Sequence, residues 1–163
     1  MATVMLSIDE PAPNFTLPDQ NGVPVELNGF SGKWVVVYFY PKDDTPGCTL
    51  EAVQFSRLAD DLAMANVVVL GVSPDSLESH CAFEKKHDLK IRLLSDTEHV
   101  VLEAFGAWHL KSGFGKKYWG VVRSTYLIDP TGVIRRIWRD VQANGHAIDV
   151  KNAITDLQRE AGK

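Results

Sequence analysis

The sequence predicts a three-layer α/β/α domain, in which helices cover both faces of a central mixed sheet and short strands form an N-terminal β extension. Three observations support this prediction. Apolar, β-branched runs alternate with stretches of helical periodicity, which is typical of βαβ units with parallel strands. An Asp-Pro-Thr-Gly turn separates the last two runs and indicates an antiparallel hairpin. The length of 163 residues suits one hydrophobic core, so we predict a single domain over residues 1–163.

The first half of the chain predicts an extension followed by a strand, a helix and a second strand. Residues 11–32 are rich in Pro, Gly, Asn and Asp, which indicates turns with short strands, one of them at residues 14–17. Residues 34–39, WVVVYF, predict a strand covered on both faces. A helical apolar stripe begins near Thr49, and a second buried strand follows at residues 67–72.

The middle of the chain predicts a further helix, strand and helix. Residues 76–87 read as a helix with Asp75 as its N-cap and Glu78 completing a capping box. A short strand follows at residues 91–94, and Asp96 is placed to cap the next helix.

The last third of the chain predicts a loop, a hairpin and a final helix. Residues 106–120 contain Gly and Trp without clear periodicity, and we predict a loop there. Strands at residues 124–128 and 133–138 flank the Asp-Pro-Thr-Gly turn, and apolar residues at helical spacing mark a helix around residues 150–157.

Composition excludes several classes of protein. The net charge is −4 and the Lys and Arg residues are scattered, so no basic patch for nucleic acid is expected. The apolar runs are far too short to span a membrane, and the first residues lack the pattern of a signal peptide. Two cysteines are too few for a disulfide scaffold, and we expect a reducing, cytoplasmic compartment.

No motif in the sequence predicts a metal or an organic cofactor. The five histidines lack metal-ligand spacing such as H-E-x-x-H, so we interpret them as surface or structural residues. Neither a Gly-rich phosphate loop nor a dinucleotide-binding fingerprint is present, and the absence of C-x-x-C argues against a dithiol oxidoreductase. We therefore expect no cofactor.

Cys48 lies where a thiol is expected to be reactive. It follows Pro46 and Gly47 at the predicted junction of a buried strand and a helix. Unpaired backbone amides and the positive end of the helix dipole meet there and favour a thiolate, although a lone cysteine elsewhere is usually a small buried hydrophobe. An ordinary thiol is already roughly 3% ionised at pH 7, so full ionisation gains at most about thirtyfold in rate. Donors that position the electrophile must supply the rest.

The string FYPKDDTPGCTLEA contains the pattern P-x-x-x-T-x-x-C and resembles the active site of peroxiredoxins of the Q/BCP type (bacterioferritin comigratory protein). The similarity extends to PAPNFTLPDQNG, VVVLGVSPDSLESH and KKYWGVVRSTYLIDPTG. The resemblance implies a thioredoxin-like fold and the thiol-dependent reduction of hydrogen peroxide and organic hydroperoxides. It also implies recycling by thioredoxin, with glutaredoxin or glutathione as alternatives.

The resemblance assigns a role to each residue of the motif. Cys48 would be the peroxidatic cysteine, which becomes a sulfenic acid. Arg123 would stabilise the thiolate and orient the peroxide, and the Thr45 hydroxyl would hydrogen-bond both. Pro41 would shield the pocket, and the backbone N–H groups of Gly47 and Cys48 would complete the donors.

A further acidic residue, Glu51, matches a family position that holds active-site groups in register. Each matched residue also has a simpler interpretation. Arg123 would then form a surface ion pair, Thr45 would stabilise a turn and Pro41 would end a strand. Glu51 would complement the dipole of the helix start.

The second cysteine departs from the family pattern. Many relatives carry a resolving cysteine five residues after the peroxidatic one, where this chain has Val53. Another branch carries it in a segment like SHxxFC; here the segment reads SHCAFE, with Glu84 at that position and Cys81 three residues earlier. Cys81 is therefore either the resolving cysteine or an ordinary thiol of a one-cysteine enzyme. If it resolves, the helix start at Cys48 must first unwind.

The alternative function is a non-enzymatic redox sensor or holdase chaperone, in which oxidation of Cys48 changes a binding surface. We expect a monomer, with a dimer as the alternative.

Overall fold

A computed structural model of the chain describes residues 5–161. Nine strands, four α-helices and one short 3₁₀ helix (Leu27–Phe30) occur in this part of the chain. In chain order they are β1 (Thr16–Pro18), β2 (Pro24–Glu26), β3 (Trp34–Phe39), α1 (Pro46–Met64), β4 (Val67–Ser73), α2 (Leu77–His87), β5 (Arg92–Ser95), α3 (Val100–Ala104), β6 (Trp108–Gly113), β7 (Lys116–Val121), β8 (Ser124–Ile128), β9 (Ile134–Trp138) and α4 (His146–Ala161).

The central sheet is mixed, as the sequence predicts. Its strand order is β5-β4-β3-β8-β9. β3 and β4 pair in parallel, as do β4 and β5, whereas β8 is antiparallel to both β3 and β9. The parallel part comes from the two βαβ units, and the antiparallel part from the Asp-Pro-Thr-Gly hairpin. The N-terminal β extension is the small antiparallel pair β1–β2.

The central strand β3 divides the core into two clusters. All six of its residues are buried, because helices or the N-terminal extension cover both faces of the sheet. Val36 and Tyr38 pack with residues of α1, α2 and α4, whereas Val37 and Phe39 pack with residues of α3 and of the N-terminal extension. The carboxyl end of β3 leads directly to the loop that precedes α1.

The predicted loop at residues 106–120 is wrong. β6 and β7 form an antiparallel hairpin whose two-residue turn is Phe114-Gly115. Both turn residues have positive φ, at 53° and 73°, a geometry that Asn-Gly usually signals. Much of the hairpin is exposed on both faces, so the sequence lacks the apolar alternation that identifies a half-buried strand.

The predicted capping box of α2 is also wrong. Ser76 is the N-cap, and its side chain accepts a hydrogen bond of 3.1 Å from the backbone N–H of Ser79. Asp75 instead accepts hydrogen bonds from the Ser73 hydroxyl and from the backbone N–H of Asp43, each 2.8 Å long. The carboxylate therefore ties two loops together instead of capping the helix.

Smaller differences concern the ends of elements. The first strand lies at Thr16–Pro18, two residues after its predicted start, and α1 begins at Pro46, three residues before Thr49. The N-cap residue of α3 is His99, but Asp96 accepts a hydrogen bond of 2.7 Å from the backbone N–H of Leu102 and so satisfies one amide of the first turn. Within residues 5–161, none of the helices has the length and apolar character needed to cross a membrane.

Candidate active site

Cys48 lies in the first turn of α1, at the carboxyl end of β3. Thr45 is the N-cap residue of α1, so Pro46 takes position N1, where its fixed φ suits the helix and its missing N–H costs nothing. Gly47 and Cys48 follow at N2 and N3, where backbone N–H groups have no partner inside the helix. The side chain of Cys48 is buried, with 1% of the residue exposed.

Arg123 joins the sulfur of Cys48 to a carboxylate on the same helix. Its Nη2 donates to Cys48 Sγ at 3.2 Å, and its Nη1 donates to Glu51 Oε1 at 2.6 Å. Burial lowers the pKa of Arg123, but the adjacent Glu51 and Cys48 raise it further, so the pKa ends above the usual value and the guanidinium stays cationic. A fixed positive charge therefore faces the thiol.

Glu51 is fully buried, and only one of its two carboxylate oxygens has a hydrogen-bond partner. Oε1 accepts from Arg123, whereas Oε2 has none among the residues that the structure describes. Burial raises the pKa of Glu51 to about 7 even though Arg123 opposes the shift. Glu51 therefore titrates near neutral pH, and its protonation leaves the charge of Arg123 free to act on the sulfur of Cys48.

Gly47 provides the space that Arg123 occupies. A Cβ atom at this position would lie 3.2 Å from Nη2 of Arg123 and 4.0 Å from the Cβ of Ala143. A Cβ atom here would make the guanidinium shift by a few tenths of an ångström, so glycine allows Arg123 its close approach to the start of α1.

Thr45 and Pro41 lie on the loop before the helix, and both are partly buried. The Thr45 hydroxyl donates to the backbone oxygen of Lys42 at 2.8 Å. Because a hydroxyl has one proton, it can donate to the sulfur of Cys48 or to a peroxide only by giving up its bond to Lys42.

Comparison with known proteins identifies the family. Residues 8–137 match the AhpC/TSA family. Peroxiredoxin Bcp of Bacillus subtilis is 43% identical over 155 residues, which cover 95% of this chain and 99% of the relative. Peroxiredoxin Bcp of Escherichia coli is 46% identical over 135 residues, covering 83% of this chain and 86% of the relative. The chain belongs to the peroxiredoxin family.

Solved structures agree with this assignment. A structure of Xanthomonas campestris Peroxiredoxin Q superimposes with a TM-score of 0.84 and 38% identity, covering 87% of this chain and 90% of the other. A mutant PrxQ of Xylella fastidiosa gives a TM-score of 0.87 and 34% identity, with 96% and 98% covered. The predicted thioredoxin-like fold and the Q/BCP type are confirmed, and the chain is an enzyme, a thiol-dependent peroxidase.

The second cysteine of this peroxiredoxin lies on α2, away from the active-site helix. Cys81 is partly buried, and both cysteines are free thiols. Because Cys48 is buried in the first turn of α1, the two sulfurs can meet only after part of the structure opens.

The sequence did not single out a buried polar cluster that anchors the loop before α1. Asp43 accepts hydrogen bonds from Tyr40 and Ser79 and lies 2.6 Å from Nδ1 of His80. His80 was interpreted as a surface or structural residue, but its partner could not be predicted, because no periodic pattern connects residues that are 37 positions apart.

We expect the pH dependence of stability to change when Glu51 is replaced by Gln. Between the ordinary carboxyl pKa of 4.5 and about 7, native Glu51 keeps a proton that the unfolded chain has lost. The contribution of Glu51 to the free energy of unfolding is fully present below pH 4.5 and is lost as the pH rises through 7. At about 1.4 kcal/mol per pH unit, the loss is at most about 3.5 kcal/mol, and Glu51→Gln should avoid it.

Urea unfolding of both reduced proteins between pH 5 and pH 8 measures this difference. Burial lowers the pKa of His146 to about 4, so His146 makes stability rise with pH up to its ordinary pKa of 6.5. The two trends oppose each other in the wild type, and the quantity to compare is therefore the wild type minus Glu51→Gln. A difference that stays constant over this pH range would show that Glu51 does not titrate there.

Proposed function

We propose that the chain reduces hydrogen peroxide and alkyl hydroperoxides at Cys48 and that thioredoxin recycles it. The observation that carries this proposal is the sulfur of Cys48, which lies in the first turn of α1 at 3.2 Å from the Arg123 guanidinium. A protein of similar structure, the bacterioferritin comigratory protein of Xanthomonas campestris, is described as having alkyl peroxide reduction activity, at 37% identity to this chain. That likeness supports the inclusion of alkyl hydroperoxides.

The proposed reaction is a displacement on oxygen. The Cys48 thiolate attacks the hydroxyl oxygen of the peroxide, so that an S–O bond forms while the O–O bond breaks. The sulfur is oxidised to a sulfenic acid, which keeps the hydrogen of that hydroxyl group. The other oxygen leaves as hydroxide or alkoxide and takes a proton from solvent, giving water or an alcohol.

Two sets of donors stabilise the charge in this reaction. Arg123 holds the thiolate before attack and the departing oxygen during it. The free backbone N–H groups of Gly47 and Cys48 point from the start of α1 and add to this field. Glu51 acts on the reaction through Arg123, because it fixes one edge of the guanidinium by a hydrogen bond of 2.6 Å.

The loop before α1 completes the proposed site. After giving up its bond to Lys42, the Thr45 hydroxyl would donate to the peroxide, and Pro41 would shield the sulfenic acid from bulk water. These two assignments rest on the motif and on the position of the residues beside the start of α1.

We also propose that Cys81 is the resolving cysteine. Its thiolate attacks the sulfenic sulfur of Cys48, an S–S bond forms, and hydroxide leaves and takes a proton to become water. A dithiol reductant such as thioredoxin then reduces the disulfide. The alternative is a one-cysteine enzyme whose sulfenic acid is reduced directly by an external thiol.

Mass spectrometry after one equivalent of peroxide tests the role of Cys81. We expect a Cys48–Cys81 disulfide within one chain in the wild type. In the Cys81→Ser variant, we expect a Cys48 sulfenic acid that dimedone can trap. A trapped sulfenic acid in the wild type, or a dimer linked through Cys48, would assign the chain to the one-cysteine type.

A coupled assay tests the proposed activity as a whole. With thioredoxin, thioredoxin reductase and NADPH present, excess hydrogen peroxide or alkyl hydroperoxide should cause NADPH oxidation that continues over many turnovers of the enzyme. Oxidation that stops after one equivalent would favour the redox sensor or holdase chaperone. Free thiols need a reducing environment, so we propose that the protein works in the cytoplasm. We also propose that it is a monomer with one domain over residues 1–163.

A further inference from the structure

A buried cluster of polar side chains ties the loop before Cys48 to helix α2. Asp43, on the loop, is 7% exposed, and His80, on α2, is fully buried. Tyr40 donates to Oδ1 of Asp43 at 2.6 Å, and Ser79 donates to Oδ2 at 2.8 Å. His80 Nδ1 lies 2.6 Å from the same Oδ2. Three groups therefore converge on one carboxylate.

The hydrogen-bond partners determine where the protons of His80 lie. Its Nε2 is 3.0 Å from the backbone oxygen of Leu94, which can only accept, so Nε2 carries a proton. On the other side of the ring, the Asp43 carboxylate already accepts from two hydroxyl groups, which favours its ionised form. Nδ1 and Oδ2 of Asp43 share one proton at 2.6 Å, and His80 therefore links the loop, through Asp43, to the backbone of β5.

Hydrogen-bond donors of the protein already contact the carboxylate oxygens of this cluster. Ligand atoms of Asp43, Asp75 and His80 lie within 4.8 Å of one another, a spacing that would also suit a cation. However, both oxygens of Asp43 accept from protein donors, and Oδ2 of Asp75 accepts from the Ser73 hydroxyl and from the Asp43 backbone N–H. Hydrogen bonds within the protein therefore account for the arrangement of these oxygens.

The two members of this hydrogen-bonded pair lie close to the two cysteines in the sequence. Asp43 precedes Cys48 by five residues, and His80 immediately precedes Cys81. When the first turn of α1 unwinds, the displaced segment pulls on the loop that carries Asp43. We propose that the hydrogen-bonded pair Asp43–His80 is a latch, which holds the loop and α2 together and so slows disulfide formation between Cys48 and Cys81. This inference rests on the proposed role of Cys81.

A second contact between the same two segments is weaker. Asp44 accepts from Lys86 at 2.7 Å and from His87 at 2.9 Å. The side chains of Lys86 and Asp44 are 62% and 44% exposed, so water and salt screen this contact. The buried pair is desolvated and hydrogen-bonded on both sides, and it therefore dominates the attachment of the loop.

The latch sets how long the sulfenic acid of Cys48 persists. A sulfenic acid either condenses with Cys81 or reacts with a second peroxide and becomes a sulfinic acid, which is not recycled by thiols. A tight latch prolongs the lifetime of the sulfenic acid and so increases the share of chains that are overoxidised to the sulfinic acid. Asp43 and His80 are positioning residues in this scheme, since neither touches the reacting atoms.

Two substitutions of His80 separate the latch from the packing of the ring. In His80→Asn, the amide nitrogen takes the place of Nδ1 and keeps the bond to Asp43. In His80→Gln, the amide nitrogen takes the place of Nε2 and keeps the bond to Leu94, so the link to the loop is lost. Both variants remove the imidazole ring and one of its two hydrogen bonds, and each is therefore the control for the other.

Quenched-flow mass spectrometry after one equivalent of peroxide measures the effect. We expect the Cys48–Cys81 disulfide to form about tenfold faster in His80→Gln than in His80→Asn, the size expected for one buried, charge-assisted hydrogen bond. The share of sulfinic acid at high peroxide should fall in parallel. Ser79→Ala, which removes only one donor to Asp43, should give a smaller increase and serves if the His80 variants fold poorly.

Hydrogen exchange distinguishes failure of the latch from failure of the resolving role. In a Cys81→Ser background, the backbone N–H groups of residues 42–49 should exchange faster with His80→Gln than with His80→Asn. If the wild type forms no disulfide with Cys81, the resolving role fails and the exchange rates alone decide on the latch. Equal exchange in the two variants, or equal disulfide rates where the disulfide forms, would overturn it.

Discussion

Replacing Cys48 by Ser is expected to abolish peroxide reduction, with a loss of more than about a thousandfold in turnover. A serine hydroxyl is not ionised at neutral pH and does not displace oxygen from oxygen. The change removes the nucleophile with little change of volume at a buried position, so the fold should persist. Peroxide consumption in the coupled thioredoxin assay measures the loss, and circular dichroism checks the fold.

The matched control is Cys81→Ser, which removes the other thiol of the chain. It should keep the first, stoichiometric reaction with peroxide at the wild-type rate, because Cys48 and Arg123 are unchanged. Undiminished turnover in Cys48→Ser would place the chemistry elsewhere in the molecule and remove the basis of the proposed mechanism.

Replacing Arg123 by Ala is expected to slow the reaction with peroxide by at least about a hundredfold. The loss of one well-placed donor to a developing oxyanion has an effect of this size in other enzymes. The guanidinium at 3.2 Å from the sulfur is the nearest fixed charge to the thiol among the residues described. Its removal also leaves Glu51 buried without a partner, which should cost about 3 kcal/mol of stability at alkaline pH. Stopped-flow kinetics with excess peroxide measures the rate.

A double variant separates the two consequences of losing Arg123. Adding Glu51→Gln removes the unpaired buried charge, so Arg123→Ala with Glu51→Gln should regain stability but not the rate. Arg123→Lys keeps a positive charge but lacks the planar fork that reaches both Cys48 and Glu51, and it should fall between wild type and Ala. If the double variant recovers the rate, Arg123 acts only through stability.

The elements of the central sheet could be predicted because their burial leaves a local mark on the sequence. All six residues of β3 are apolar since both faces of the strand are covered, and the Asp-Pro-Thr-Gly turn specifies the β8–β9 hairpin. The β6–β7 hairpin carries no such mark, because much of it is exposed and its Phe114-Gly115 turn is unusual. The N-cap of α2 was misassigned because Ser76 and Asp75 are both good caps, and only the structure shows that Asp75 binds elsewhere.

The active site could be predicted only in part for a different reason. The position of Cys48 at a helix start follows from local signals, but its contact with Arg123 joins residues 75 positions apart. No periodicity reports such a contact, and the pairing came from the family motif. Asp43 and His80 lie in two separate strings that match the family, FYPKDDTPGCTLEA and SHCAFE, but neither string indicates that the two side chains meet.

The bridge made by Arg123 has a further consequence for the catalytic cycle. Its two partners lie on successive turns of α1, and the deeper one, Glu51, is fully enclosed. If α1 unwinds only as far as Cys48, the sulfur is released, but the guanidinium of Arg123 stays hydrogen-bonded to Glu51. When the thiol is regenerated, it would return to a guanidinium that is already in place, so Arg123 would not have to be repositioned between catalytic cycles.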